Sequence, residues 1–236
     1  MQFERKDKYS LEDLLKIMDI LRSPEGCPWD REQTHKSIRN NLIEETYEAV
    51  EAIDTENPKL LEEELGDVLF QVVFHAQLEK EAGRFDFSRV VDGVTKKMIQ
   101  RHPHVFGSVQ VSGSDEVLKN WDTIKQKTKG RDTLANVLES VSPALPALMR
   151  SQKVWKKAAQ AESNAKSRRE IASGMVEMLQ RAECLPDSAE EEEKKRLVGS
   201  LLFSAAALSE DLGIESEEAL AQYCESFVQS YREKEE

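Results

Sequence analysis

Residues 42–51, LIEETYEAVE, and residues 62–70, EEELGDVLF, each place two carboxylates three positions apart inside a run that otherwise has the apolar spacing of a packed helix. A carboxylate that leaves water without a partner loses its hydration. A chain that does this with Glu45, Glu48, Glu64 and Asp67 is constrained twice over. It must be helical there, because a helix sets residues three apart side by side, about 5–6 Å between Cβ atoms. It must also bring something positive to the acids. The short turn TENP (55–58) makes the two helices antiparallel neighbours, so the pairs face each other across a groove. Leu42, Val50 and Ile53 flank one pair, and Leu65, Leu69 and Val72 flank the other.

Two unit charges 4 Å apart repel by about 4 kcal/mol at an effective dielectric of about 20. A bound cation reverses that sign. With neither His nor Cys in the set, the donors are all oxygen, which selects a hard ion: Mg²⁺ first and Mn²⁺ second. Mg²⁺ keeps positions open for water and phosphate oxygens, so the reading is a catalytic centre rather than a structural one. A di-iron bundle, the nearest alternative, generally needs two ExxH units. The ExxH of this chain, Glu32 to His35, lies outside both acidic pairs.

The rest of the chain agrees with helix. Only 10 Gly and 7 Pro occur in 236 residues, and Glu, Lys, Leu and Ala dominate, which predicts an all-α fold. Ser10 followed by Asp13 reads as a capping box for a first helix from Leu11, broken at RSPEGCPWD. Further helices are expected at about Ser37–Asp54, Lys59–Glu81 and Ser88–Arg101, giving four in the first 106 residues. Residues 131–150, with Pro143 and Pro146, read as a connector between a domain over 1–130 and a second helical one over 151–236. Glu190–Glu193 reads as a solvated helix face.

The second half echoes the first. A shift of 133 residues lays Gly199 on Gly66 and Phe203 on Phe70, and puts Met178, Arg181, Leu197 and Ser200 at the places of Glu45, Glu48, Glu64 and Asp67. Apolar helical spacing matches itself easily. The information lies in the difference: if the echo is a repeat, only the first copy holds a divalent cation.

A net charge of −12 offers no basic footprint for a nucleic-acid polymer or an anionic membrane. Cys27, Cys184 and Cys224 form no CxxC pair, which fits a reducing cytoplasm. The N-terminal MQFERKDKYS lacks the apolar stretch of a signal peptide, and no apolar run reaches the length of a membrane span.

EETYE followed by EELGD, together with GCPWDREQTH, LGDVLFQVVFHAQ, AGRFDF, RHPHVFG and SPALPALMRSQK in that order, resembles the MazG family of all-α nucleoside triphosphate pyrophosphohydrolases, in its two-repeat bacterial form. The resemblance covers roughly residues 10–155 and is faint beyond. It implies Mg²⁺-dependent cleavage between the α- and β-phosphates of a nucleoside triphosphate, giving the monophosphate and pyrophosphate. It makes Glu45, Glu48, Glu64 and Asp67 the metal ligands, with Glu44 just outside them as a residue that orients a ligand or positions water. Lys97 and Arg101, four apart and so on one helix face, match the basic positions of the family's nucleotide site. The family pairs such helical units, which implies a homodimer. The competing expectation is a helical dimerisation or regulatory protein that keeps this fold without catalysis.

Four other residues draw attention and are read as structural. His102 and His104 flank Pro103 at a helix end, where capping or packing is expected. Trp29 is expected to pack, because Trp carries so much burial area. Cys27 has no His–acid partner set to activate it.

Overall fold

A computed structural model describes residues 3–114, 116, 117, 120, 121, 124, 133–161 and 166–235, and all regular structure among them is helical. The chain forms two units, Met1–Ile124 and Lys125–Glu236.

In the first unit α1 (Leu11–Leu21) starts at the expected capping box: Ser10 N–H donates to Asp13 Oδ2 at 2.9 Å, and Asp13 N–H returns a bond to Ser10 Oγ at 3.4 Å. α3 (Arg39–Asp54), α4 (Pro58–Glu81) and α5 (Phe87–Arg101) lie within two residues of their expected bounds. Two short helices were not expected, α2 (Pro28–Glu32) and α6 (Pro103–Phe106), so the count in this stretch is six rather than four. Both open on proline. Proline breaks a helix interior, but a first-turn residue needs no N–H, so proline ends one helix and begins the next. α4 obeys the same rule, with Pro58 in its first turn and Asn57 as its cap, accepting from Leu60 N–H at 3.2 Å. Gly83, at φ +69° just past its last turn, ends it.

α4 is the organising element of this unit, since α1, α3 and α5 all pack on it. The core is Met18, Ile38, Val73 and Phe74, with Leu14, Leu15, Phe70, Leu78 and Phe87 against them. Ion pairs tie the ends of α1 and α4 together, Arg22–Glu81 at 2.7 Å and Lys80–Asp19 at 2.6 Å. The Arg22 guanidinium also lies 5.4 Å from the Phe74 ring centre. Trp29 is 57 % exposed, so the packing role expected of it is not met. It stands in the first turn of the short α2, which has too little length to bury a face.

The second unit holds α7 (Leu134–Glu139), α8 (Ala147–Ala161), α9 (Arg168–Glu183), α10 (Glu191–Leu212) and α11 (Ser216–Glu235). The stretch expected as a connector therefore contains one short helix and the first turn of α8, and the boundary expected near 130 lies outside the described residues. α10 packs on α8, α9 and α11, as α4 packs on α1, α3 and α5 in the first unit. Its first turn carries Glu191–Glu193, all exposed, where the positive end of the helix dipole favours them. Gly213, at φ +71°, ends it.

Gln152, only 4 % exposed, fastens α8 to the turn between α10 and α11. Its amide donates to Ile214 O at 2.9 Å and Glu210 Oε2 at 3.1 Å, and its carbonyl accepts from Ser216 N–H at 2.8 Å. Substituting Gln152→Leu takes these partners from the N–H of buried Ser216 and from the Ile214 C=O. The second unit is expected to lose about 2–3 kcal/mol, read by urea denaturation.

Candidate metal centre

α3 brings Glu44, Glu45 and Glu48, and α4 brings Glu64 and Asp67, on two helices that pack directly against each other. One carboxylate oxygen from each of Glu45, Glu48 and Glu64 lies within 4.8 Å of the other two. Glu64 is 8 % exposed, and its Oε2 is buried without a hydrogen-bond partner. Glu45 is half-buried, while Glu44, Glu48 and Asp67 are exposed. Asp67 stands beside the triangle rather than in it.

The electrostatics follow from this geometry. Burial raises the Glu45 carboxyl above its ordinary value, and the charges of Asp67, Glu48 and Glu44 push the same way. Glu64 is raised by burial and then by Glu48, Asp67 and Glu45. None of the five acids makes an ion pair among the described residues. A buried oxygen with no donor, inside a knot of mutually repelling carboxylates, is a place that a cation fits. The donor set is entirely oxygen, which suits a hard divalent ion.

Lys97 and Arg101 sit on α5, which packs on α4. Lys97 is exposed, with no ion pair among the described residues. The neighbouring Lys96 pairs with Asp92 at 2.7 Å on the solvent side. Arg101 is half-buried, its guanidinium 5.2 Å from the Trp121 ring centre. His102 keeps the helix-end role expected of it, its Nδ1 2.6 Å from Met98 O and its ring set edgewise against Trp121.

A second cluster escaped the sequence reading. His35 and His75 stack in parallel with their Nδ1 atoms 2.8 Å apart, and His35 Nε2 meets Glu79 Oε1 at 2.7 Å. Arg84 clamps Glu79 with bonds of 2.6 and 2.7 Å. The available signal was the four-residue spacing of Gln71, His75 and Glu79 along α4. The Arg84 bonds first, and His35 after them, hold the Glu79 carboxyl down at about 2. The folded value lies below the ordinary 4.5, so its contribution to stability is complete above about pH 4.5 and is lost as pH falls through about 2. Wild-type stability is therefore expected to fall more steeply than that of Glu79→Gln across this window, measured by urea midpoints at stepped pH.

In the second unit the four positions paired by the 133-residue shift also converge. Met178, Arg181, Leu197 and Ser200 line one groove of about 420 Å³ together with Arg196, and Arg181 approaches Glu193 at 3.9 Å. Where the first unit has four acids, the shifted positions here carry two apolar groups, a hydroxyl and a guanidinium, in a groove that Glu190, Glu192 and Glu193 also line.

The model of the MazG nucleotide pyrophosphohydrolase domain matches residues 33–106, the span that holds every candidate residue from Glu44 to Arg101. The chain is 40 % identical over 225 residues to the nucleoside triphosphate pyrophosphohydrolase/pyrophosphatase MazG of Thermotoga maritima, covering 95 % of this chain and 85 % of that one. It is 39 % identical over 231 residues to a nucleoside triphosphate pyrophosphohydrolase of Escherichia coli K12, covering 95 % and 87 %. A protein of the same description from Mycolicibacterium smegmatis is 40 % identical over 153 residues, covering 64 % of this chain and 46 % of that one. With an all-helical fold and that extent of identity along nearly its whole length, the chain belongs to the MazG family.

Proposed function

We propose that this protein hydrolyses nucleoside triphosphates to the monophosphate and pyrophosphate, as a house-cleaning or pool-controlling enzyme, and that Glu45, Glu48, Glu64 and Asp67 hold Mg²⁺, with Mn²⁺ as the substitute. The observation that carries the reading is the Glu45–Glu48–Glu64 triangle around the unpartnered Glu64 oxygen. A divalent ion bound there supplies charge neutralisation at the phosphates and acidifies water. The chain's own groups do the rest. Glu44, exposed beside the triangle, or Glu48, its exposed corner, takes the proton of the attacking water. Lys97 and Arg101 receive the charge that builds on the departing pyrophosphate, Arg101 through its planar fork and Lys97 as a point charge.

The test is pyrophosphate release from a panel of ribo- and deoxyribonucleoside triphosphates with Mg²⁺ present. Monophosphate and pyrophosphate in equal amounts support the reading, and release of inorganic phosphate instead refutes the position of cleavage. Arg101→Ala is expected to lower kcat/KM by about a hundredfold, the order produced by losing one donor to developing charge.

The second unit reads as a degenerate copy without metal ligands, over about 151–236. The first unit leaves Ile43, Val50, Leu65, Leu69, Val91 and Val94 exposed on α3, α4 and α5, more apolar surface than scattered single residues account for. A second copy of the chain covers that face as a homodimer, and a monomeric mass by light scattering at micromolar concentration would refute it. No single described helix is long and apolar enough to cross a membrane. The three free cysteines suit a cytoplasmic location, and the charge of −12 argues against a nucleic-acid polymer as partner.

A further inference from the structure

α4 carries further polar side chains beyond the carboxylates. On α4 Glu64 is followed by Gln71, His75 and Glu79, so one helix face carries a polar stripe running away from the metal centre. Gln71, four residues from both Asp67 and His75, is 6 % exposed, and its Oε1 is buried without a partner. Past it α3, α4 and α5 border an open groove of about 550 Å³, walled by Leu42, Val72, Phe85 and Val90, with His35 and His75 among them and Arg39 at its side. Leu42 lies one turn from Glu45, and Val72 less than two turns from Asp67, about 5–8 Å along the helices at 1.5 Å per residue. A sugar has to span such an interval between the phosphates of a nucleotide and its base.

The polar equipment of the groove is built. Glu79, pinned by Arg84, can only accept, so His35 Nε2 carries a proton. The two Nδ1 atoms, 2.8 Å apart, share one proton between them. That leaves His75 Nε2, which has no hydrogen bond among the described residues, as the ring nitrogen of this pair without a protein partner, on a residue that lines the groove. His35 is thus a positioning residue: anchored on Glu79, it holds the His75 ring through the Nδ1 contact.

We propose that this groove receives the nucleobase of the substrate, flat between Leu42, Val72, Phe85 and Val90, with His75 Nε2 hydrogen-bonded to the base edge. The proposal rests on the hydrolase reading above for the presence of a nucleotide, and the test separates the two. An α,β-methylene nucleoside triphosphate series and inorganic tripolyphosphate are titrated calorimetrically into the full chain with Mg²⁺ present, while pyrophosphate release from ordinary nucleotides is assayed separately. His75→Phe keeps a flat ring and removes the hydrogen bond. It is expected to weaken the tightest-bound nucleotide by about tenfold while tripolyphosphate stays within about twofold. Val90→Trp, on the half-buried wall of α5, fills the groove and is expected to give the same split without touching the imidazoles. Nucleotide affinity unchanged in both variants, or nucleotide and tripolyphosphate weakened together in both, overturns the base site. Wild-type protein that binds nucleotides no better than tripolyphosphate also overturns it, even where pyrophosphate release stands. The affinity split without any pyrophosphate release keeps the base site and removes the hydrolase reading instead.

Discussion

Replacing Glu64 by Gln and Asp67 by Asn together extinguishes pyrophosphate release, by about a thousandfold or more, the scale of losing electrostatic stabilisation at a reacting centre. Circular dichroism stays that of the wild type. The two effects separate because the substitutions are nearly isosteric and neither residue closes a fold-bearing hydrogen bond: Glu64 Oε2 has no partner, and Asp67 is exposed. A third effect has the opposite sign. Glu64 sits among Glu48, Asp67 and Glu45, which with burial raise its carboxyl. A group raised on folding contributes stability below its unfolded value and loses it as pH rises through the folded one. At neutral pH and without divalent ion the carboxylate therefore burdens the first unit. The neutral amide relieves it, so the inactive variant is expected to melt higher than the wild type in chelator. A double variant that retains full turnover refutes the metal assignment, and one that melts lower in chelator refutes the electrostatic account of the site.

The helices that hold this centre were legible because their signals are local. Ser10 with Asp13, Gly83 and Gly213 mark helix ends by backbone chemistry that a sequence carries openly. The acidic pairs were legible because a carboxylate at a packing position is anomalous at once. What stayed hidden depends on tertiary neighbours. Pro28 and Pro103 announce a break, yet whether a new turn follows depends on what packs around it. His75 looks like an ordinary half-buried helix residue until His35, 40 positions earlier, stacks on it and hands it to Glu79. Gln71 reads as one more polar residue until its carbonyl oxygen is found buried with nothing to meet. Trp29 failed the other way, since its size predicted burial that a five-residue helix cannot provide.

Removing divalent ion from the wild type is expected to abolish turnover and to lower the melting temperature of the first unit while leaving the second where it is. In the first unit no protein cation pairs with Glu45, Glu48, Glu64 or Asp67 among the described residues, so only a bound ion offsets their repulsion. Ligand that binds the folded state alone, at about a hundred times its Kd, adds about 2.7 kcal/mol. For a unit of this size that is a shift of about 10 °C or more. In the second unit the groove at the shifted positions holds Glu190, Glu192 and Glu193 but also Arg181 and Arg196, with Arg181 3.9 Å from Glu193, so protein cations stand among its acids and no ion is needed to offset them. Scanning calorimetry with chelator and then with rising Mg²⁺ reads both. Metal and protons compete for the same oxygens, so the Mg²⁺ shift should shrink as pH falls through the raised range of Glu45 and Glu64. A melting profile in which both units move together with Mg²⁺, or neither does, would show that the carboxylate triangle is not where the ion acts.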